Sequence, residues 1–187
     1  MSFTVLFVCT GNICRSPAAE RLFQGRLGLA VQVSASSAGT KGMTGHPIDG
    51  PSAVALQELG IDPEGHIARR LDGEMLRTAD LVLTASTEHR AAVLRTEPSM
   101  ISKTFTLREF GRLAADSLDA WPAFTDEELR TRVAAVARQR GLAGPAGPAE
   151  NDIADPYGAS LETARATVAQ ISRAVDLALA GLGVPVV

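Results

Sequence analysis

Cys9 and Arg15 bracket the stretch Cys9-Thr10-Gly11-Asn12-Ile13-Cys14-Arg15, and Ser16-Pro17 follow at once. An apolar run, Val5-Leu6-Phe7-Val8, leads into the cysteine. A strand that ends on Cys9, turns tightly and enters a helix at Ser16 aims successive backbone N–H groups inward, which makes a concavity for anions. The helix N-terminus adds its positive dipole end, and Arg15 adds a two-pronged donor matched to phosphate oxygens. A cysteine in that field is expected as its thiolate, the nucleophilic form. Thr10, Gly11, Asn12, Ile13, Cys14, Arg15 and Ser16 are therefore the expected phosphate-binding residues, and the chemistry is phosphoryl transfer through sulfur. Ser16, just ahead of Pro17, is also expected to cap the helix. A lone cysteine at a strand end is most often a small buried hydrophobe. The whole string, placed between an apolar run and an amphipathic pattern, outweighs that reading.

Positioning such a loop takes strands and helices in alternation. Phe3–Val8, Val31–Ser36, Leu81–Thr84 and Ile101–Thr106 are expected as strands, short and apolar enough to be buried on both faces. Helical patterns cover Pro17–Gly28, Gly50–Leu59, Thr87–Arg95 and Leu161–Leu182. In the last, Ala164, Val168, Ile171, Val175 and Leu179 recur at spacings of three and four. The fold class that follows is α/β: a three-layer, doubly wound, four-stranded parallel sheet with helices on both faces. Ligands in such folds lie beyond the carboxyl ends of the strands, where Cys9 falls.

The 187 residues suit one domain, 1–187, with a full core. Both cysteines lie in the loop, which argues against a disulfide framework. The net charge of −3 comes with scattered basic residues, so no nucleic-acid footprint stands out. No apolar run approaches the roughly 20 residues of a membrane span, and no signal peptide is evident, so a cytoplasmic protein is expected. His46, His66 and His89 are far apart in sequence, and no metal or other cofactor is expected.

The loop with Ser16-Pro17-Ala18-Ala19-Glu20 resembles the phosphate loop of the low-molecular-weight protein tyrosine phosphatases, and Asp155-Pro156-Tyr157 resembles the acid loop that these enzymes carry near the C-terminus. Ser36-Ser37-Ala38-Gly39-Thr40, Gly60-Ile61, His66-Ile67-Ala68-Arg69 and Ala79-Asp80-Leu81-Val82-Leu83 fit the family's pattern in order, so the resemblance spans about residues 3–108 and 150–182. It implies a phosphomonoesterase acting on phosphotyrosine proteins or related phosphomonoesters. Cys9 would be the nucleophile, Arg15 the oxyanion clamp and Asp155 the general acid and base. Asn12, Ser16, Ser37 and His66 would hold the loop in shape. Met43 and Tyr157 would flank the substrate, with core packing the lesser alternative for Tyr157. Cys14 would pair with oxidised Cys9 as a reversible redox switch, or remain an inert buried thiol.

Three departures bear on substrate choice. Met43 stands where relatives active on phosphotyrosine place an aromatic, and Gly158 where many have a second tyrosine. Ile13 stands where the phosphoarginine-specific branch has a threonine. A thioredoxin-linked arsenate reductase shares the fold but relies on a distal cysteine pair, and no cysteine follows Cys14. A non-catalytic phosphate-recognition module is the remaining alternative. A helical and Gly/Pro-rich insertion is expected at about 109–150, with a helix from Thr125 to about Arg140. It is either a tolerated surface insertion or a lid feeding into the Asp155 loop, with Trp121 and Phe124 as lid, substrate or packing contacts.

Overall fold

Alternate residues of the first strand point to opposite faces, and both sets are apolar. Phe3, Val5 and Phe7 enter one core and Leu6 and Val8 another, so the strand is covered on both sides. The computed structural model describes residues 2–28, 33–115, 125–144 and 146–184. In chain order it contains β1 (Phe3–Cys9), α1 (Arg15–Gln24), β2 (Val33–Gly39), α2 (Gly50–Glu58), α3 (Gly73–Thr78), β3 (Leu81–Thr84), α4 (Thr87–Thr96), β4 (Thr104–Thr106), α5 (Leu107–Ala115), α6 (Asp126–Gln139), α7 (Pro148–Asn151) and α8 (Leu161–Leu182). The four strands pair in parallel in the order β2-β1-β3-β4. The expected three-layer, doubly wound sheet is therefore present.

The larger core joins the sheet to α1, α2, α5, α6 and α8 through Phe23, Leu56, Phe110, Leu129 and Val175. The smaller core joins it to α3 and α4 through Leu76 and Val93. Each fully buried side chain of this kind contributes about 1.5–3 kcal/mol. The five apolar positions read from the α8 pattern are all buried.

Three helices lie outside the expected ones: α3, α5 and the four-residue α7. The six-residue α3 begins at Asp72, whose side chain accepts from the Met75 amide. α5 occupies the start of the stretch assigned to the insertion, and it belongs to the core: Leu107, Phe110, Leu113 and Ala114 are buried. Its Gly111 faces α8 so closely that a Cβ there would lie 2.7 Å from Leu177 Cβ, and Gly181 of α8 meets Ala114 in the same way. These glycines let the two helix backbones approach. The segment expected as a strand from Ile101 starts only at Thr104, because Pro98–Ser102 forms a 3-10 turn.

α6 lies where a helix from Thr125 to about Arg140 is expected. Thr125 caps it in a reciprocal pair with Glu128, and Leu129, Val133 and Val136 face the core. Trp121 and Phe124 lie outside the described residues. No helix among the described residues is long and apolar enough to cross a membrane.

Candidate active site

β1 ends on Cys9, and α1 begins at Arg15 with Cys14 as its cap residue, where no side-chain hydrogen bond caps the helix. The first-turn amides therefore lack a side-chain acceptor and remain donors for a ligand. The expected cap, Ser16, is inside the first turn. Its Oγ lies 3.0 Å from Cys9 Sγ and accepts a hydrogen bond from Asn12 Nδ2 at 2.9 Å. The hydroxyl is turned to the sulfur and is not available to cap the helix, which corrects the capping assignment. Asn12 N also donates to Cys9 Sγ, at 3.3 Å. The Ser16 hydroxyl and the Asn12 amide thus both lie against the sulfur.

Asn12 organises the loop. It is fully buried and has φ 58°, a left-handed conformation that asparagine tolerates better than other side-chain-bearing residues. Besides Ser16, its Nδ2 donates to Ser37 Oγ at 2.8 Å, its Oδ1 accepts from Arg69 N at 2.9 Å, and its carbonyl accepts from His66 Nε2 at 2.7 Å. Ser37 in turn donates to Glu20 Oε2 at 2.6 Å, and its carbonyl accepts from Arg69 Nε at 2.8 Å. Asn12, Ser16, Ser37 and His66 are therefore gathered as expected, with Glu20 and Arg69 as partners not singled out from sequence.

Thr10 has its own support, which sequence also missed. Its Oγ1 is 2.8 Å from His89 Nε2, and His89 Nδ1 is 2.7 Å from Ser86 Oγ. Burial and, after it, the charge of Arg15 push the His89 pKa down to about 4, so the imidazole is neutral and bridges the two hydroxyls. The other cysteine is equally constrained. Burial and then the Asp49 carboxylate push the Cys14 thiol up to about 12, against a weaker opposing hydrogen bond with Ser52. Cys14 is therefore a thiol at neutral pH. Both cysteines are free and buried.

Arg15 is 7% exposed. Its Nη2 donates to Asp155 Oδ2 at 2.6 Å, its Nη1 donates to the Ile153 carbonyl at 3.2 Å, and its Nε is buried without a partner. The Ile153 amide is itself tied to the carbonyl of Ala85, just past β3, at 2.8 Å. Asp155 thus meets the arginine across 140 residues of chain while its own side chain stays 50% exposed. Tyr157 donates its amide to Asp155 Oδ1 at 3.2 Å and is 60% exposed, so it does not pack in the core. Gly158 follows with φ 72°, a conformation that the second tyrosine of many relatives would adopt only under strain.

A pocket of about 190 Å³ opens over Cys9 and Arg15, with Thr10, Gly11, Ile13 and Cys14 at its base. Met43, Asp155 and Tyr157 also line it, as does Lys41, which sequence gave no reason to choose. Lys41 comes there because its amide donates to the Thr10 carbonyl, which ties the turn after β2 to the phosphate loop. No described residue of the insertion lines this pocket, so α6 is not a lid over it. Among the described residues, no group of three or more His, Cys, Asp or Glu could hold a metal ion. The site combines a sulfur nucleophile, an anion cradle and a carboxylate at hydrogen-bond distance from the cradle's arginine, which are the parts of a two-step phosphoryl transfer.

Residues 4–136 match the family described as low molecular weight phosphotyrosine protein phosphatase. The chain is 44% identical over 101 residues to the low molecular weight protein-tyrosine-phosphatase Etp of Escherichia coli K12, an alignment that covers 54% of this chain and 66% of that one. A low molecular weight protein tyrosine phosphatase from T. tengcongensis superposes with a TM-score of 0.68 at 31% identity, covering 94% of this chain and 97% of the other. The YwlE arginine phosphatase of Geobacillus stearothermophilus superposes with a TM-score of 0.69 at 28% identity, covering 95% and 90%. Asp155 lies beyond the family match, so its place in the site stands on the geometry with Arg15.

Proposed function

The chain belongs to the low molecular weight phosphotyrosine protein phosphatase family, and from that premise we propose that it hydrolyses phosphotyrosine in proteins, or a related phosphomonoester, through a phosphocysteine intermediate. The observation that carries this reading is the convergence of Cys9, Arg15 and Asp155 on one pocket. A phosphate dianion entering the cradle offers oxygens to the unpartnered Arg15 Nε and replaces the Asp155 carboxylate on the guanidinium. Asp155, released and having taken a proton from solvent water, then faces the leaving-group oxygen. The Cys9 sulfur forms a bond to phosphorus as the phosphorus–oxygen bond breaks, and Asp155 gives its proton to the departing oxygen. In the second step water attacks phosphorus, the sulfur–phosphorus bond breaks, and the Asp155 carboxylate takes a proton from that water. The loop amides and Arg15 hold the equatorial oxygens throughout.

Ile13 and Met43 give the pocket apolar walls, and the exposed Tyr157 ring is free to lie against an aryl group. These residues favour an aryl phosphate over phosphoarginine. The retained thiol and carboxylate speak against a pure recognition module, which needs neither. Arsenate reduction by a distal cysteine pair has no cysteines to use. The redox role of Cys14 belongs to the same reading: oxidation of Cys9 by a peroxide to the sulfenic acid, followed by attack of the Cys14 thiolate on that sulfur, would close a disulfide and expel hydroxide, which takes up a proton as water.

The test is steady-state hydrolysis of an aryl phosphate by the native chain and by Cys9→Ser. Turnover that vanadate inhibits, and that the substitution lowers by about four orders of magnitude or more, is expected. Undiminished turnover in Cys9→Ser would sink the mechanism.

A further inference from the structure

A second cavity, of about 420 Å³, lies between α4, α5 and the end of α6, and it shares no lining residue with the pocket over Cys9. Arg90, Arg112 and Arg140 line it against a single carboxylate, Glu109. That carboxylate is already committed. It accepts from Arg140 Nε at 2.9 Å and from Thr106 N at 3.1 Å, while Arg90 Nε, which donates to the Thr104 carbonyl at 3.1 Å, approaches it only to 3.9 Å and leaves the outer face of its guanidinium to the cavity. Arg112 has no hydrogen-bond or ion-pair partner among the described residues, and its Nε is buried without one. The crowding is visible in Arg90, whose pKa is lowered by burial and then by the charge of Arg140. Guanidinium groups gathered in a partly buried concavity stabilise a bound anion, and their planar forks match phosphate oxygens.

A second group narrows the ligand. Asn151 is 7% exposed and lines the same cavity. Its Nδ2 donates to the Ala146 carbonyl at 3.0 Å, which fixes the amide's orientation, and its Oδ1 is buried with no donor. A ligand that satisfies the wall therefore carries an anionic group for Arg112 and Arg90 and a hydroxyl for Asn151. The volume falls in the range of small-molecule sites, about 300–1,000 Å³. We propose that this cavity, built in part by the insertion, is a binding site for a small phosphorylated hydroxy compound of the polyol-phosphate class. It is separate from the catalytic pocket and is not a subsite of it.

The test is an NMR titration of the Cys9→Ser chain, which cannot consume the probe, with glycerol 3-phosphate. Saturable shifts of the Arg112 Nε and Asn151 side-chain signals are expected, independent of those at Gly11 in the phosphate loop. Arg112→Gln, which removes no hydrogen bond among the described residues, weakens the Asn151 response about tenfold or more and leaves the Gly11 response unchanged. Arg112→Lys, which keeps the charge, restores part of the affinity. Inorganic phosphate, lacking the hydroxyl, binds the cavity more weakly than glycerol 3-phosphate. Shifts confined to the phosphate loop, or full affinity at Asn151 in the Arg112→Gln chain, overturn the proposal. The readout is binding to a catalytically silent chain, so its failure is distinct from failure of the phosphatase reading.

Discussion

The cradle around Cys9 and the loop that carries Asp155 face the same pocket, but they are held in opposite ways. Every polar group of Asn12 is engaged, and its partners are buried apart from the exposed Arg69, which contributes its backbone amide. The Asp155 carboxylate is half exposed and is fixed chiefly by the arginine that a phosphate would occupy. On the proposed mechanism, anion binding is preorganised while the acid is positioned by exchange. The cradle's geometry exists before substrate arrives, whereas the acid is free to turn to the leaving group once substrate takes Arg15.

Breaking the acid side alone gives the largest effect in this comparison. Asp155→Ala is expected to slow turnover of poor leaving groups by about 10²–10⁴-fold. Good leaving groups, which need little protonation, are affected far less. A series of aryl phosphates of graded leaving-group pKa measures the contrast, and equal losses across it would remove Asp155 from the acid role. The substitution leaves the cradle intact, so vanadate affinity is expected to hold or rise as Arg15 is freed.

Breaking the cradle alone separates the two sides further. Asn12→Ala leaves the Arg69 amide unpaired, at about 1–3 kcal/mol, takes one donor from the Ser16 and Ser37 hydroxyls, which keep Cys9 and Glu20 as partners, and adds about 1–2 kcal/mol for a β-carbon at positive φ. Urea unfolding is expected to show a loss of several kcal/mol, with turnover down about 10²-fold. Asn12→Gly recovers only the backbone part, so the Ala–Gly difference isolates it. An Asn12→Ala chain as stable and active as the native one would mean that the network is ornamental.

The smallest effect sharpens the picture of the cradle's interior. Because the Cys14 thiol is raised to about 12, its thiolate fraction grows with pH throughout the range below that value. Closure of a Cys9–Cys14 disulfide after peroxide treatment is therefore slow at pH 7 and accelerates about tenfold per pH unit up to pH 9. Trapping of the Cys9 sulfenic acid followed by mass spectrometry measures the rate. A pH-independent closure would show that Cys14 is not shielded as described. The same shift lowers fold stability in alkali: an unfolded cysteine ionises near its ordinary value, the folded one not until about 12, so stability falls as pH rises between them.

What sequence revealed and what it hid follow physical lines. The phosphate loop and β1 were legible because their meaning is local: an apolar run, a turn and a helix start within a few residues. Asp155 was legible only through resemblance, since its meeting with Arg15 is a long-range event. Lys41 and His89 were missed for the same reason, each brought to Thr10 by tertiary contacts. Ser16 shows the opposite failure: a serine before proline at a helix start is a good cap by local rules, and the pull of Cys9 and Asn12 overrode them. α5 was hidden by Gly111, a residue unfavourable to an isolated helix that is present here because Leu177 lies against it.

One peptide group sets how the acid moves. The N–H of Ile153 is tied to the Ala85 carbonyl and its C=O to Arg15, whereas Ala154 and Gly158 are exposed or half-exposed. In deuterated water the loop would therefore label in two phases. The Ile153 amide would keep its proton until the end of the sheet opens, and the amides of Ala154 and Gly158 would exchange on first contact. On the proposed mechanism Asp155 would move on a short tether from a fixed post, the peptide held at the carboxyl end of β3, an inner strand.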